Sequence, residues 1–167
     1  AISGYKWLNK TYNGQFVTMT YTHIGNTGIN SDDMESGRFF ANGFIMHECD
    51  ETSNFRAEES LRECLARREI PAIAGVDTRA LTTRIRDKGT LKGFMSVCGV
   101  VGAEDAVKKA KEWCGLDNQD YASKVSCDKA YRWDPDGKLS GSWGLGVVPK
   151  ADLKIVAYDF GIKWNIL

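Results

Sequence analysis

The sequence predicts an α/β fold, and three observations carry that expectation. Residues 15–23 mix β-branched and aromatic side chains with hydroxyls in near alternation, as a strand does. From 58 to 89 a helical pattern, a short apolar run and a second helical pattern follow one another. Leu153 to Asp159 is an apolar run closed by Phe160-Gly161 and a new helical start, the way an α/β unit opens.

The elements follow in order. Gln15 to His23 is the first strand, and Gly25-Asn26-Thr27-Gly28 turns the chain after it. Phe39, Phe40, Phe44, Ile45 and Met46 place one or two strands in 38–48, around Asn42-Gly43. Leu61, Cys64 and Leu65 share one face of a helix over 58–69, with Ser53 or Asn54 as its expected N-cap. Pro71 stops that helix, and Ile70 to Val76 reads as a buried strand. Asp77 caps a second helix that Gly89 ends. Phe94 to Val101 reads as another strand, and Glu104 to Cys114 as a third helix with Val107, Ala110 and Trp113 or Cys114 inward. Residues 115–150 are turn-rich, with a hairpin expected around Asp136-Gly137 and a linker ending near Pro149-Lys150.

Composition narrows the partners. The 167 residues are 43% hydrophobic and 26% charged, the profile of a soluble globular chain. Lys plus Arg number 22, as do Asp plus Glu, so there is no general pull toward nucleic acid or anionic membrane. No stretch approaches the ~20 apolar residues of a membrane helix, and no basic-then-apolar leader pattern opens the residues. A small molecule or another protein is the expected partner. Ala1 stands where a methionine would, and Leu167 falls just as a helix starts, so both ends are expected to be cut.

Five cysteines lie at 49, 64, 98, 114 and 127, with wide gaps and no CxxC pair. They are expected to be reduced thiols in a cytosolic protein, each buried as a small hydrophobe, with no metal. None has the glycine flanks of a nucleophile elbow, and His47, two residues from Cys49, is poorly spaced to serve it as a base. The 25–28 turn offers backbone N–H groups but no lysine at Walker spacing. Arg79, Arg84 and Arg86, with Lys88, form either a solvated face beside Asp87 or a docking surface for an acidic partner or an anionic ligand. From the residues alone, a truncated cytosolic α/β domain without a complete active site is expected.

Six segments in order resemble the small, glutamine-using subunit of carbamoyl-phosphate synthases. They are Ser3-Gly4-Tyr5, the run from Gln15 to Gly28, Ser53-Asn54-Phe55-Arg56, Ile73 to Thr82, Ile85 to Gly89, and Val156 to Leu167. The resemblance implies a swivelling β/β/α domain over 1–150, incomplete at its N-terminus, and the first strand of a class I glutamine amidotransferase domain over 151–167. It also implies a cytoplasmic heterodimer in which ammonia from glutamine joins bicarbonate on a large subunit, feeding arginine or pyrimidine biosynthesis. ATP and magnesium would belong to that large subunit. The Cys-His-Glu triad of the family would lie past Leu167, so these residues alone are expected to be inactive. Their implied work is docking, through Arg79, Arg84 and Arg86, and positioning. Thr11 falls where the family has a serine that touches glutamine, and Lys10 where it has a proline. The alternative is a non-catalytic docking module, a divergent paralogue without glutaminase activity.

Overall fold

The computed structural model describes residues 10–97, 99–138 and 152–167. Its centre is a three-stranded parallel sheet in the order β1-β2-β3, formed by Phe16–Thr18, Gly43–Ile45 and Ala72–Ile73. Phe16 pairs with Gly43 and Thr18 with Ile45, and Phe44 then pairs with Ala72. Gly43 is required where it stands, because a Cβ there would lie 2.9 Å from the Pro71 carbonyl oxygen. The α/β expectation therefore holds, with strands shorter than the apolar runs that announced them.

The core gathers on β2. Phe44 and Met46 are fully buried, joined by Ile24, Ile29 and Ala41 from the long β1–β2 connection. Helix α1, Leu61–Arg67, adds Leu61, Cys64 and Leu65 from one face. Its cap is Ser60, not Ser53 or Asn54. The Ser60 hydroxyl accepts from the Glu63 amide at 3.2 Å, and Glu63 accepts from the Ser60 amide at 2.9 Å. This reciprocal box satisfies two amide donors, which a distant Ser or Asn does not reach.

Helix α2, Thr78–Lys88, starts where expected: Asp77 accepts from the Ala80 amide at 2.8 Å, and Gly89 ends the helix at φ +80°. Only Thr78 in it is buried. Helix α3, Ala103–Glu112, carries Glu104 and Asp105 in its first turn and Lys109 and Lys111 in its last, matching the helix dipole. Ala106, Ala110 and Trp113 are half-buried, whereas Val107 and Cys114 are exposed. Helix α4, Tyr121–Val125, is capped by Asp120, which accepts from the Ser123 amide at 2.9 Å.

Two expected strands do not form. The described residues between Phe94 and Val101 belong to no strand. Residues 152–158 run without strand pairing and leave Leu153, Ile155, Val156 and Tyr158 at least 77% exposed. An apolar run becomes a strand only when a neighbour takes its backbone N–H and C=O groups, and no described strand lies beside either run. Around Asp136-Gly137 the chain makes a turn, Gly137 N–H to the Asp134 carbonyl at 3.1 Å, and residues 139–151, including the expected linker end, lie outside the described residues.

Candidate functional site

The first candidate site is where the two ends of the described chain meet. A 3-10 turn, Lys10–Tyr12, opens toward the segment that precedes a second 3-10 turn, Trp164–Ile166. Asp159 joins them. Its Oδ1 accepts from the amides of Gly161 and Ile162, both at 2.8 Å, and lies 3.4 Å from Lys10 Nζ. Its Oδ2 accepts from the Tyr131 hydroxyl at 2.9 Å. Gly161 sits at φ +108° with Lys10 close by, so the tight turn and the close approach both call for glycine.

These contacts set the charges. Burial by itself would raise the Asp159 carboxyl, but the two amides, the Tyr131 hydroxyl and the Lys10 charge outweigh it and hold the group below the usual carboxylate range. Tyr131 is pushed up to about 12, first by loss of water and then by its bond to Asp159 and that residue's charge. Trp133 and Trp164, with ring centroids 5.7 Å apart, line a cleft of about 610 Å³ beside Asp159.

The second tie between the ends is buried. The Glu35 side chain is fully buried, with Oε1 accepting from Lys163 Nζ at 2.7 Å and Asn165 Nδ2 at 2.9 Å. The Trp164 amide donates to the Glu35 carbonyl at 3.0 Å. Glu35 Oε2 is buried without a hydrogen-bond partner, a desolvation cost that the bonds to Oε1 have to offset. In the sequence Glu35 is not distinguishable, since Asp32, Asp33 and Glu35 look like one acidic loop. No local signal separates the buried member from its neighbours. Asp159 was legible only as part of the Asp159-Phe160-Gly161 turn.

The expected site residues are distributed as follows. Thr11 lies in the Lys10–Tyr12 turn, one residue from the lysine that meets Asp159, and its side chain lies outside the described features. Arg79 and Arg84 share a surface recess on α2 with Asp77 and Asp87. Arg86 does not line that recess and pairs with Asp87 at 3.2 Å. The recess is thus of mixed sign.

Other candidate groups have structural partners. His47 lies 3.3 Å from the Val76 carbonyl, and His23 pairs with Asp50 at 3.0 Å. In the 25–28 turn, the Asn26 and Thr27 carbonyls accept from Ser53 N–H and Asn54 Nδ2. Cys64 is buried and its thiol is pushed up to about 11, by burial first and then by Glu59. Cys114 and Cys127 are exposed, against the expectation of burial, because each directly follows the C-cap of a helix, α3 or α4, that buries no residue; Cys98 lies outside the described residues. Among the described residues no three of His, Cys, Asp and Glu gather as a metal-binding set. No described helix is long and apolar enough to cross a membrane.

Comparison with known proteins adds the family. Residues 1–95 match the family described as carbamoyl-phosphate synthase small chain, CPSase domain. The chain is 40% identical over 176 residues to the carbamoyl phosphate synthase small chain of Acinetobacter baylyi, covering 100% of this chain and 45% of that protein. It is 42% identical over 178 residues to that of Neisseria gonorrhoeae, with 100% and 45% covered, and 41% over 177 residues to that of Photorhabdus laumondii, with 100% and 44% covered. The chain therefore spans under half the length of these relatives. With more than half of its residues matched by the family and its whole length aligned to small chains, it belongs to the carbamoyl-phosphate synthase small chain family.

Proposed function

We propose that this chain is the N-terminal part of the small subunit of a cytoplasmic, glutamine-dependent carbamoyl-phosphate synthase. Its work is to dock on the large subunit and to position the glutaminase part of its own subunit. The observation that carries this reading is the alignment of this chain's whole length to proteins named carbamoyl phosphate synthase small chain. In this reading the fold is the family's swivelling domain, and the run from Leu153 becomes a strand once the amidotransferase sheet supplies its neighbour. Ammonia released from glutamine then joins bicarbonate on the large subunit at the expense of ATP.

Two geometric features support the positioning role. Lys10 and Glu35, both early in the chain, hold Asp159 and Lys163 at the entry to the following domain. Thr11, next to Lys10, is the proposed contact to glutamine. Arg79, Arg84 and Arg86 stand on a helix whose surface is almost wholly exposed, and they are proposed to meet the large subunit.

The test is to express the full-length gene product with its large chain and to assay glutamine hydrolysis and carbamoyl phosphate formation. Formation of carbamoyl phosphate from glutamine by the pair is expected. A stable pair with no glutamine hydrolysis would instead mark a docking paralogue, and no pairing at all would overturn the proposal.

A further inference from the structure

Phe55 leaves 96% of its surface in water, although the loop that carries it is held firmly. The Ser53 amide donates to the Asn26 carbonyl at 2.9 Å, and Asn54 Nδ2 to the Thr27 carbonyl at 3.1 Å. Past the ring, the Ala57 amide returns to the Asn54 carbonyl at 3.1 Å, and the Glu58 amide reaches the Ile29 carbonyl at 2.8 Å. Arg56 Nη2 lies 3.7 Å from Asp32 and 3.6 Å from Asp33. Gly28, at φ +62°, lets the two loops close, since a Cβ there would stand 2.4 Å from the Ala57 Cβ.

A single exposed apolar residue is ordinary on any surface. This one differs in three ways. Almost none of the ring is covered, its backbone is tied on both sides, and an arginine within 4 Å of two carboxylates stands next to it. Aromatic and arginine side chains dominate the energetics of protein interfaces, and a pre-set loop loses little freedom when it binds. The relatives of this chain are named small chains, which implies a large chain to receive such an anchor.

We propose that Phe55, flanked by Arg56, is an anchor that enters an apolar socket on the large chain of the synthase. This rests on the small-subunit reading above. It adds a contact outside α2, on the loop pair 25–33 and 52–59.

The test uses the full-length small chain and its large chain, with binding followed by biolayer interferometry. Phe55→Ala is expected to weaken binding about 30-fold, mainly through faster dissociation. Phe55→Leu is expected to fall between it and the parent. The melting temperature of the free small chain should stay the same in both variants, because the ring is exposed. Parent-level binding by Phe55→Ala would overturn the proposal. So would a drop of more than about 4 °C in the free small chain, which would place the ring against another part of that chain. Loss of a small-chain dimer on substitution would assign the ring to a second copy, and would also overturn it. If the parent itself fails to bind the large chain, the small-subunit reading fails, a result distinct from failure of the Phe55 contact.

Discussion

Lys163 Nζ lies 2.7 Å from Glu35 Oε1, and the Glu35 side chain is fully buried. Asn165 and the Trp164 amide add bonds to the same residue, so three successive positions near one end of the chain converge on one glutamate near the other. A buried pair need not outdo an apolar pair of the same shape, but removing one partner strands a charge.

Lys163→Met is therefore expected to destabilise the protein by about 3 kcal/mol. Urea unfolding would read this as a lower midpoint at constant m-value. A change under about 0.5 kcal/mol, the ordinary size for a surface substitution, would mean that the pair is solvated in solution.

Asp159 and Tyr131 predict opposite pH limits. The Asp159 carboxyl is depressed in the fold, so its contribution is present above the unfolded value of about 3.9 and lost as pH falls through the folded value. Asp159→Asn should flatten that acid-side loss of stability. Tyr131 is raised to about 12, so its contribution is full below the unfolded value of about 10 and lost as pH rises from there through the folded value. Difference titration of Tyr131→Phe against the parent, by absorbance of tyrosinate, should remove a tyrosine that ionises near pH 12. Removal of an ordinary one near pH 10 would contradict the geometry.

Gly28→Ala should be among the costlier single changes in the loops. It places a Cβ 2.4 Å from the Ala57 Cβ and 2.7 Å from Thr52 Cγ2, at a φ of +62°. Left-handed strain of roughly 1 kcal/mol and overpacking of roughly 1–3 kcal/mol act together. Thermal unfolding measures the sum, and hydrogen exchange should show faster exchange of the Ser53 and Glu58 amides. Unchanged protection at both would show that the loops do not depend on this close approach.

The cysteines should separate by reactivity. Cys64 is buried and its thiol is raised to about 11, so little thiolate exists near pH 8. Iodoacetamide labelling followed by peptide mass mapping should find Cys114 and Cys127 modified well before Cys64. Early labelling of Cys64 in the folded protein would contradict its burial against Glu59.

Local chemistry made much of this fold legible. Asp77 and Gly89 bound α2 as their types require, because a side-chain cap and a positive φ are decided within a few residues. The Ser60–Glu63 box is equally local, yet Ser53 and Asn54 offer the same capping side chains a few residues earlier. Those two residues instead tie the loop to Asn26 and Thr27, a pairing that depends on two loops meeting. Phe94 to Val101 and Leu153 to Asp159 looked like strands because apolar content is local, while a ladder needs a neighbour.

The sequence by itself determined the α/β class, the ends of α2, the inward face of α1 and, through ordered segments, the family. Tertiary structure alone decided that Glu35 is buried while Asp32 is exposed, that Lys10 and Tyr131 converge on Asp159, and that Phe55 projects from a fixed loop. The physical reason is range. Caps and helix periods are settled among residues a few positions apart, whereas burial of a charge and meeting of loops depend on how distant segments pack.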